Sequence, residues 1–124
     1  MKKNVAKGKI GEDIASEFLE KKGLIILERN WRYSRIGELD IIAFDGEILT
    51  FIEVKARKST KFGDPIEAVT RAKMAKICSL AELYVNNNLH LKFKSIRYDV
   101  IGILLNNVAS KEPEITYYKD VYQF

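Results

Sequence analysis

Gly37-Glu38-Leu39-Asp40-Ile41-Ile42, then Asp45-Gly46-Glu47, then Phe51-Ile52-Glu53-Val54-Lys55-Ala56-Arg57: this stretch decides the fold. The runs 39–44 and 48–54 are apolar and β-rich, and Asp-Gly between such runs signals a hairpin. Residues two apart in a strand share a face, so Glu53 and Lys55 point the same way. With Asp45-Gly46 as a two-residue turn, Phe44 opposes Glu47 and Asp40 opposes Phe51. Asp40 then joins the face of Glu53 and Lys55, with Glu53 as its diagonal neighbour, roughly 7–8 Å away at the backbone. A slip of one residue would send Asp40 to the other face.

Elements predicted outward from this hairpin give the architecture. Residues 4–22 read as a helix, with Ile10, Ile14, Ala15, Phe18 and Leu19 at helical spacing and Lys21-Lys22-Gly23 as a stop. Leu24–Glu28 reads as a short strand. Asp64-Pro65-Ile66-Glu67 reads as a helix start, with an N-cap aspartate and proline at the first helical position, and that helix runs to about Asn86. A strand over 93–105, a loop over 106–113 and a last strand over 115–122 complete the order. A hairpin followed by a crossover helix implies a mixed sheet in which the strand after the helix pairs in parallel, with helices covering the faces.

The whole chain sets bounds. Its 124 residues suit a single domain, 1–124, and 47% hydrophobic with 31% charged residues is a globular balance. One cysteine, Cys78, excludes an internal disulfide. The basic N-terminus is followed by no apolar segment, and no run is long enough for a membrane span, so a cytoplasmic protein is expected. The net charge of +4 is compatible with a polyanionic partner without requiring one.

Two carboxylates converging beside a lysine are what phosphodiester hydrolysis needs. Hard oxygen donors suit Mg²⁺, which keeps waters and leaves room for a phosphate. The ion polarises a phosphoryl oxygen, and a neighbouring lysine orients or deprotonates water. Glu-x-Lys alone is a poor motif, since Glu20 and Lys22 repeat it at the end of a helix. Alternating charges on an exposed strand would give the same pair, so spacing alone leaves both readings open.

The combination of Glu12 in a first helix, Asp40, and Glu53-Val54-Lys55 in αβββαβ order resembles the restriction-endonuclease-like superfamily, the PD-(D/E)xK nucleases. More closely, the chain resembles the YraN-like family of bacterial proteins. That likeness rests on Gly8-Lys9-Ile10-Gly11-Glu12-Asp13, Asn30-Trp31-Arg32, the two motif strands and Ile96-Arg97-Tyr98-Asp99-Val100. The placing of Glu12, Asp40, Glu53 and Lys55 is also similar to archaeal Holliday-junction resolvases. The resemblance implies a restriction-endonuclease-like α/β fold and Mg²⁺- or Mn²⁺-dependent cleavage of DNA or, less often, RNA. Leu39 stands where the superfamily motif has proline. Glu12, at the edge of its helix's apolar stripe, is an ordinary boundary glutamate by position and a site residue by resemblance.

Cations supply candidate nucleic-acid contacts. Arg32 and Arg35, interleaved with Trp31 and Tyr33, and Arg57, followed by Lys58 and Lys61, are placed to meet phosphates. Trp31 serves equally as a core residue and the lysines as a solvated loop. Lys73 falls within the apolar stripe Ile66, Val69, Ile77, Leu80 and Tyr84, which leaves it either snorkelling to an edge or emerging at the site. Arg97 and Asp99 read as a structural ion pair. Two functions remain in view: a metal-dependent nuclease, acting on DNA that is branched or nicked, and a nucleic-acid-binding module with the same fold and little or no cleavage. A homodimer would suit a two-fold-symmetric substrate.

Overall fold

The computed structural model describes residues 2–58, 65–105 and 112–122. Its elements are α1 (Lys2–Lys21), β1 (Ile25–Tyr33), β2 (Gly37–Asp45), β3 (Ile48–Arg57), a 3₁₀ turn (Pro65–Ala68), α2 (Arg71–Asn86), β4 (Ser95–Leu104) and β5 (Glu114–Tyr118). The strands form one sheet in the order β1-β2-β3-β4-β5. All neighbours are antiparallel except β3 and β4, which are joined through α2 and run parallel. The fold is therefore mixed α/β, a five-stranded sheet with two helices, consistent with a restriction-endonuclease-like core.

Strand alternation splits the core in two. Ile42, Leu49 and Phe51 pack with Ile77, Leu80 and Tyr84 of α2, while Ile41, Ile52, Ile101 and Ile103 pack with Ala15 and Leu19 of α1. The helices thus cover opposite faces. Each fully buried side chain of this size contributes roughly 1.5–3 kcal/mol. Helix α1 stops at Gly23, whose φ of +95° lets the Leu24 N–H reach back to the Leu19 carbonyl at 3.0 Å.

The hairpin between β2 and β3 differs from the expected one by a single position. Asp45 pairs with Ile48, so the two loop residues are Gly46 and Glu47, with Gly46 at φ +61°. Asp45 stays in the strand because Arg97 of β4 holds its carboxylate at 2.8 Å. The register moves by two, which keeps Asp40 on its predicted face but sets it opposite Glu53 instead of diagonal to it.

The second helix also starts later than its Asp64-Pro65 signal implies. Asp64 lies outside the described residues, Pro65–Ala68 forms only a 3₁₀ turn, and α2 begins after Thr70. Thr70 is extended (φ −77°, ψ 167°), and its hydroxyl accepts from the Lys73 N–H at 3.2 Å. Thr70 makes the N-cap hydrogen bond from which α2 starts. Strand β1 runs on past Glu28 to Tyr33, held by pairing with β2, and β5 ends at Tyr118, short of Tyr122.

Candidate active site

Where β2 and β3 stop pairing, the side chains of the motif strands meet. The ladder between them ends at Ile41↔Ile52. One step further the Asp40 carboxylate, not a backbone carbonyl, accepts the Val54 N–H at 2.8 Å. The same point is a twist in β1 and β2. Leu39 packs on the α2 side and Ile41 on the α1 side, although residues two apart share a face in a regular strand. On β1 the matching position is Asn30, at φ +53°, between the pairs Arg29↔Ile41 and Trp31↔Leu39. Asparagine tolerates that left-handed conformation better than most residues.

Opposite the Asp40 carboxyl stands that of Glu53, which is only 8% exposed. Glu53 is held by two ammonium groups on the same oxygen, Oε1: Lys73 Nζ at 3.0 Å and Lys55 Nζ at 3.4 Å. Lys55 comes from the same strand face, two residues on, and Lys73 from the first turn of α2. Asp40, Glu53 and Lys73 line a cleft of about 220 Å³, bounded also by Gly37, Glu38, Lys76, Ile77 and Leu80, and Lys55 meets it through its contact with Glu53. Gly37 permits the cleft's narrow end, since a Cβ there would lie 3.1 Å from Lys76 Cε and 3.2 Å from Leu80 Cδ1.

The electrostatics follow from burial and like charge. Burial, then the Glu53 carboxylate, raise the Asp40 carboxyl to about 7 against the pull of the Val54 N–H, and Glu12 adds to the rise. Burial also lowers the Lys55 ammonium, helped by neighbouring Lys73 and opposed by Glu53. Lys73 is raised: burial pulls it down, but Lys55, Glu53 and Asp40 together outweigh burial. The two lysines thus differ, with Lys55 the readier to give up its proton.

Glu12 approaches from the α1 side. Gly11 makes this possible, because a Cβ there would lie 2.9 Å from Ala56 Cβ and 3.8 Å from Val54 Cγ1. The Glu12 carboxyl is raised by burial, eased by a hydrogen bond with Asn30 and by Arg29. Arg29 in turn pairs with Asp13 at 2.6 Å, tying α1 to β1 beside the site.

The structure therefore brings Glu12, Asp40, Glu53, Lys55 and Lys73 together. Of the other candidate cations, Arg32 is exposed and pairs with Glu38 at 3.3 Å, Arg35 is exposed in the turn after β1, and Arg57 ends β3. Lys61 lies outside the described residues. Trp31 packs into the α2-side core, edge-to-face with Tyr84 at 5.2 Å. Sequence reasoning missed Asn30, Glu38 and Lys76. Asn30 carried little signal, because the strand expected over 24–28 ended before it, whereas β1 runs on to Tyr33. Arg97 and Asp99 pair at 2.9 Å on the same sheet face as α1, with Asp45, Tyr117 and the Asp120 N–H completing the network.

The donors suit a hard divalent cation. Among the described residues no three histidine, cysteine or acidic side chains form a group able to cage an ion. Asp40 and Glu53 offer carboxylate oxygens that repel one another, a strain that a cation between them would relieve. Two carboxylates with water and substrate phosphate match the way Mg²⁺ is held.

An αβββαββ chain with an acidic and lysine cluster at the parting of its central hairpin is thus the class of protein that fold and site define. Within that class, the chain belongs to the uncharacterised protein family UPF0102, whose family model matches residues 11–103. A UPF0102 protein of Dictyoglomus turgidum is 50% identical over 99 residues, covering 80% of this chain and 82% of the relative. One from Clostridium kluyveri is 41% identical over 116 residues, covering 94% and 93%. One from Rhodococcus opacus is 38% identical over 122 residues, covering 98% and 100%. The matched span contains Glu12, Asp40, Glu53, Lys55 and Lys73. This bears out the YraN-like resemblance at the level of the family.

Proposed function

We propose that this chain is a divalent-metal-dependent endonuclease of the PD-(D/E)xK superfamily, hydrolysing phosphodiester bonds of DNA, branched or nicked, in the cytoplasm. The observation that carries the reading is the convergence of Asp40 and Glu53 in one cleft, with Lys55 Nζ on Glu53 at 3.4 Å and Asp40 raised to about 7 by burial and by Glu53. Asp40 and Glu53 would hold Mg²⁺ or Mn²⁺, which when bound supplies Lewis-acid polarisation of the phosphoryl oxygen and lowers the pKa of water. Lys55, half-buried beside Glu53 and lowered by that burial, orients the attacking water or takes its proton. Glu12 adds negative charge behind Asp40 and orients Asn30. Arg32, Arg35, Arg57 and the exposed Lys76 stand around the cleft or at the ends of its strands, where phosphates of a polyanion would lie. No helix among the described residues is long and apolar enough to cross a membrane.

A nuclease assay tests this reading. Linear, nicked, flapped and four-way DNA, and matched RNA, are incubated with the purified protein in Mn²⁺ or in EDTA. Cleavage of DNA in Mn²⁺ alone is expected. One observation favours the binding module instead: the two ammoniums already on Glu53 neutralise it without a metal. Tight binding to the panel with no cleavage of any substrate would decide for that module. The symmetry of a junction substrate suits a homodimer, which sedimentation would reveal.

A further inference from the structure

The two lysines on Glu53 are not equivalent. Both contact Oε1, yet the Lys55 side chain is 15% exposed and comes from the strand that carries Glu53, while the Lys73 side chain is 41% exposed and comes from another element. Lys55 is thus fixed to the site by its own strand. Lys73 reaches in from α2 along the wall of the cleft, where Lys76, one helical turn on, already points into the same space. The Lys73 ammonium makes the shorter contact, on one of the two carboxylates that would hold a divalent cation.

From this asymmetry we infer that Lys73 is a resident placeholder cation. It occupies Glu53 while no metal is bound, and a divalent cation must displace it to reach the carboxylates. The inference rests on the metal-dependent reading above and adds a regulation to it. Lys73 keeps the Asp40 and Glu53 pair neutralised in the metal-free protein and thereby weakens its affinity for metal. A part-exposed ion pair is weak enough to be exchanged. Its side chain is long enough to withdraw to the mouth of the cleft without moving α2. Lys76 lines the same cleft but forms no ion pair with Glu53, so it serves as the internal comparison.

The test is Mn²⁺ titration of the folded protein alone, with free Mn²⁺ read by electron paramagnetic resonance. It compares parent, Lys73→Met, Lys73→Gln and Lys76→Met. Both Lys73 variants should bind Mn²⁺ about tenfold more tightly than the parent, the equivalent of about 1.4 kcal/mol, and Lys76→Met should stay within about twofold of it. Circular dichroism confirms that each variant is folded, and two different replacements guard against one failing to fold. Unchanged or weaker Mn²⁺ binding by the Lys73 variants, with the parent binding measurably, would overturn the placeholder role and leave the metal site standing. Absence of Mn²⁺ binding by parent and variants alike would overturn the metal-dependent reading, and the placeholder with it.

Discussion

Asp40→Asn should stabilise the metal-free protein, and only at neutral to alkaline pH. Asp40 is raised from its ordinary 3.8 to about 7 by burial and by Glu53, so ionising it in the folded protein costs about 4 kcal/mol more than in the unfolded chain. The sign follows from the direction. The folded state binds the proton more tightly, so this stability is complete below about pH 4, falls as pH rises, and is lost above about pH 7. Between pH 5 and pH 8 the parent should lose about 3 kcal/mol through Asp40, a large share of a small domain's total. Asparagine carries no charge and still offers an oxygen to the Val54 N–H, now as an ordinary hydrogen bond weaker by about 1 kcal/mol. Near pH 5 the variant should therefore match the parent to within about 1 kcal/mol, and near pH 8 it should exceed it by about 2–3 kcal/mol. Urea unfolding in EDTA at the two pH values measures both, and other titrating groups cancel in the comparison. Equal destabilisation of the variant at both pH values would show that the carboxylate is not strained, and would remove the reason for a cation to bind there.

Gly11→Ala places a Cβ 2.9 Å from Ala56 Cβ; thermal melts should show a loss of about 1–3 kcal/mol from overpacking. Asp99→Ala leaves Arg97 without its buried partner, and should cost about 3–5 kcal/mol in urea unfolding. Mn²⁺ binding, on the other sheet face, should be unaffected in whatever fraction folds. Arg35→Ala and Arg57→Ala should each lower the slope of log affinity for DNA against log salt by about one, the signature of one phosphate contact; fluorescence anisotropy across a salt series reads it. Unchanged slopes for both would move the binding face elsewhere.

What the sequence made legible was local. The period-two spacing of Glu53 and Lys55 and the Asp-Gly turn were enough to set the hairpin and the shared face of Asp40, because parity survives a register change of two. The turn itself lay one residue further on, since Asp45 is kept in its strand by Arg97, 52 residues away in the chain. The α2 start was misplaced because Asp64-Pro65 is a strong local helix-start signal, while the helix takes its cap from Thr70, whose hydroxyl accepts the Lys73 N–H. The twist at Asn30 and Asp40 is a tertiary event, shared between two strands, and no single window carries it. Lys73 is the instructive case. A lysine within an apolar stripe left two outcomes open, and the choice depended on Glu53, a residue on another element.

The most direct test of the central claim is single-turnover cleavage of DNA in Mn²⁺ by the parent and by Lys55→Ala, with Asp40→Asn as the third arm. Each is read at a protein concentration that saturates the DNA, with Mn²⁺ occupancy measured in parallel. Lys55→Ala should keep metal and DNA yet cleave roughly 10²-fold more slowly or worse, while Asp40→Asn should lose metal and cleavage together. Equal cleavage rates for all three proteins would contradict the account, because the cut would then owe nothing to this cleft.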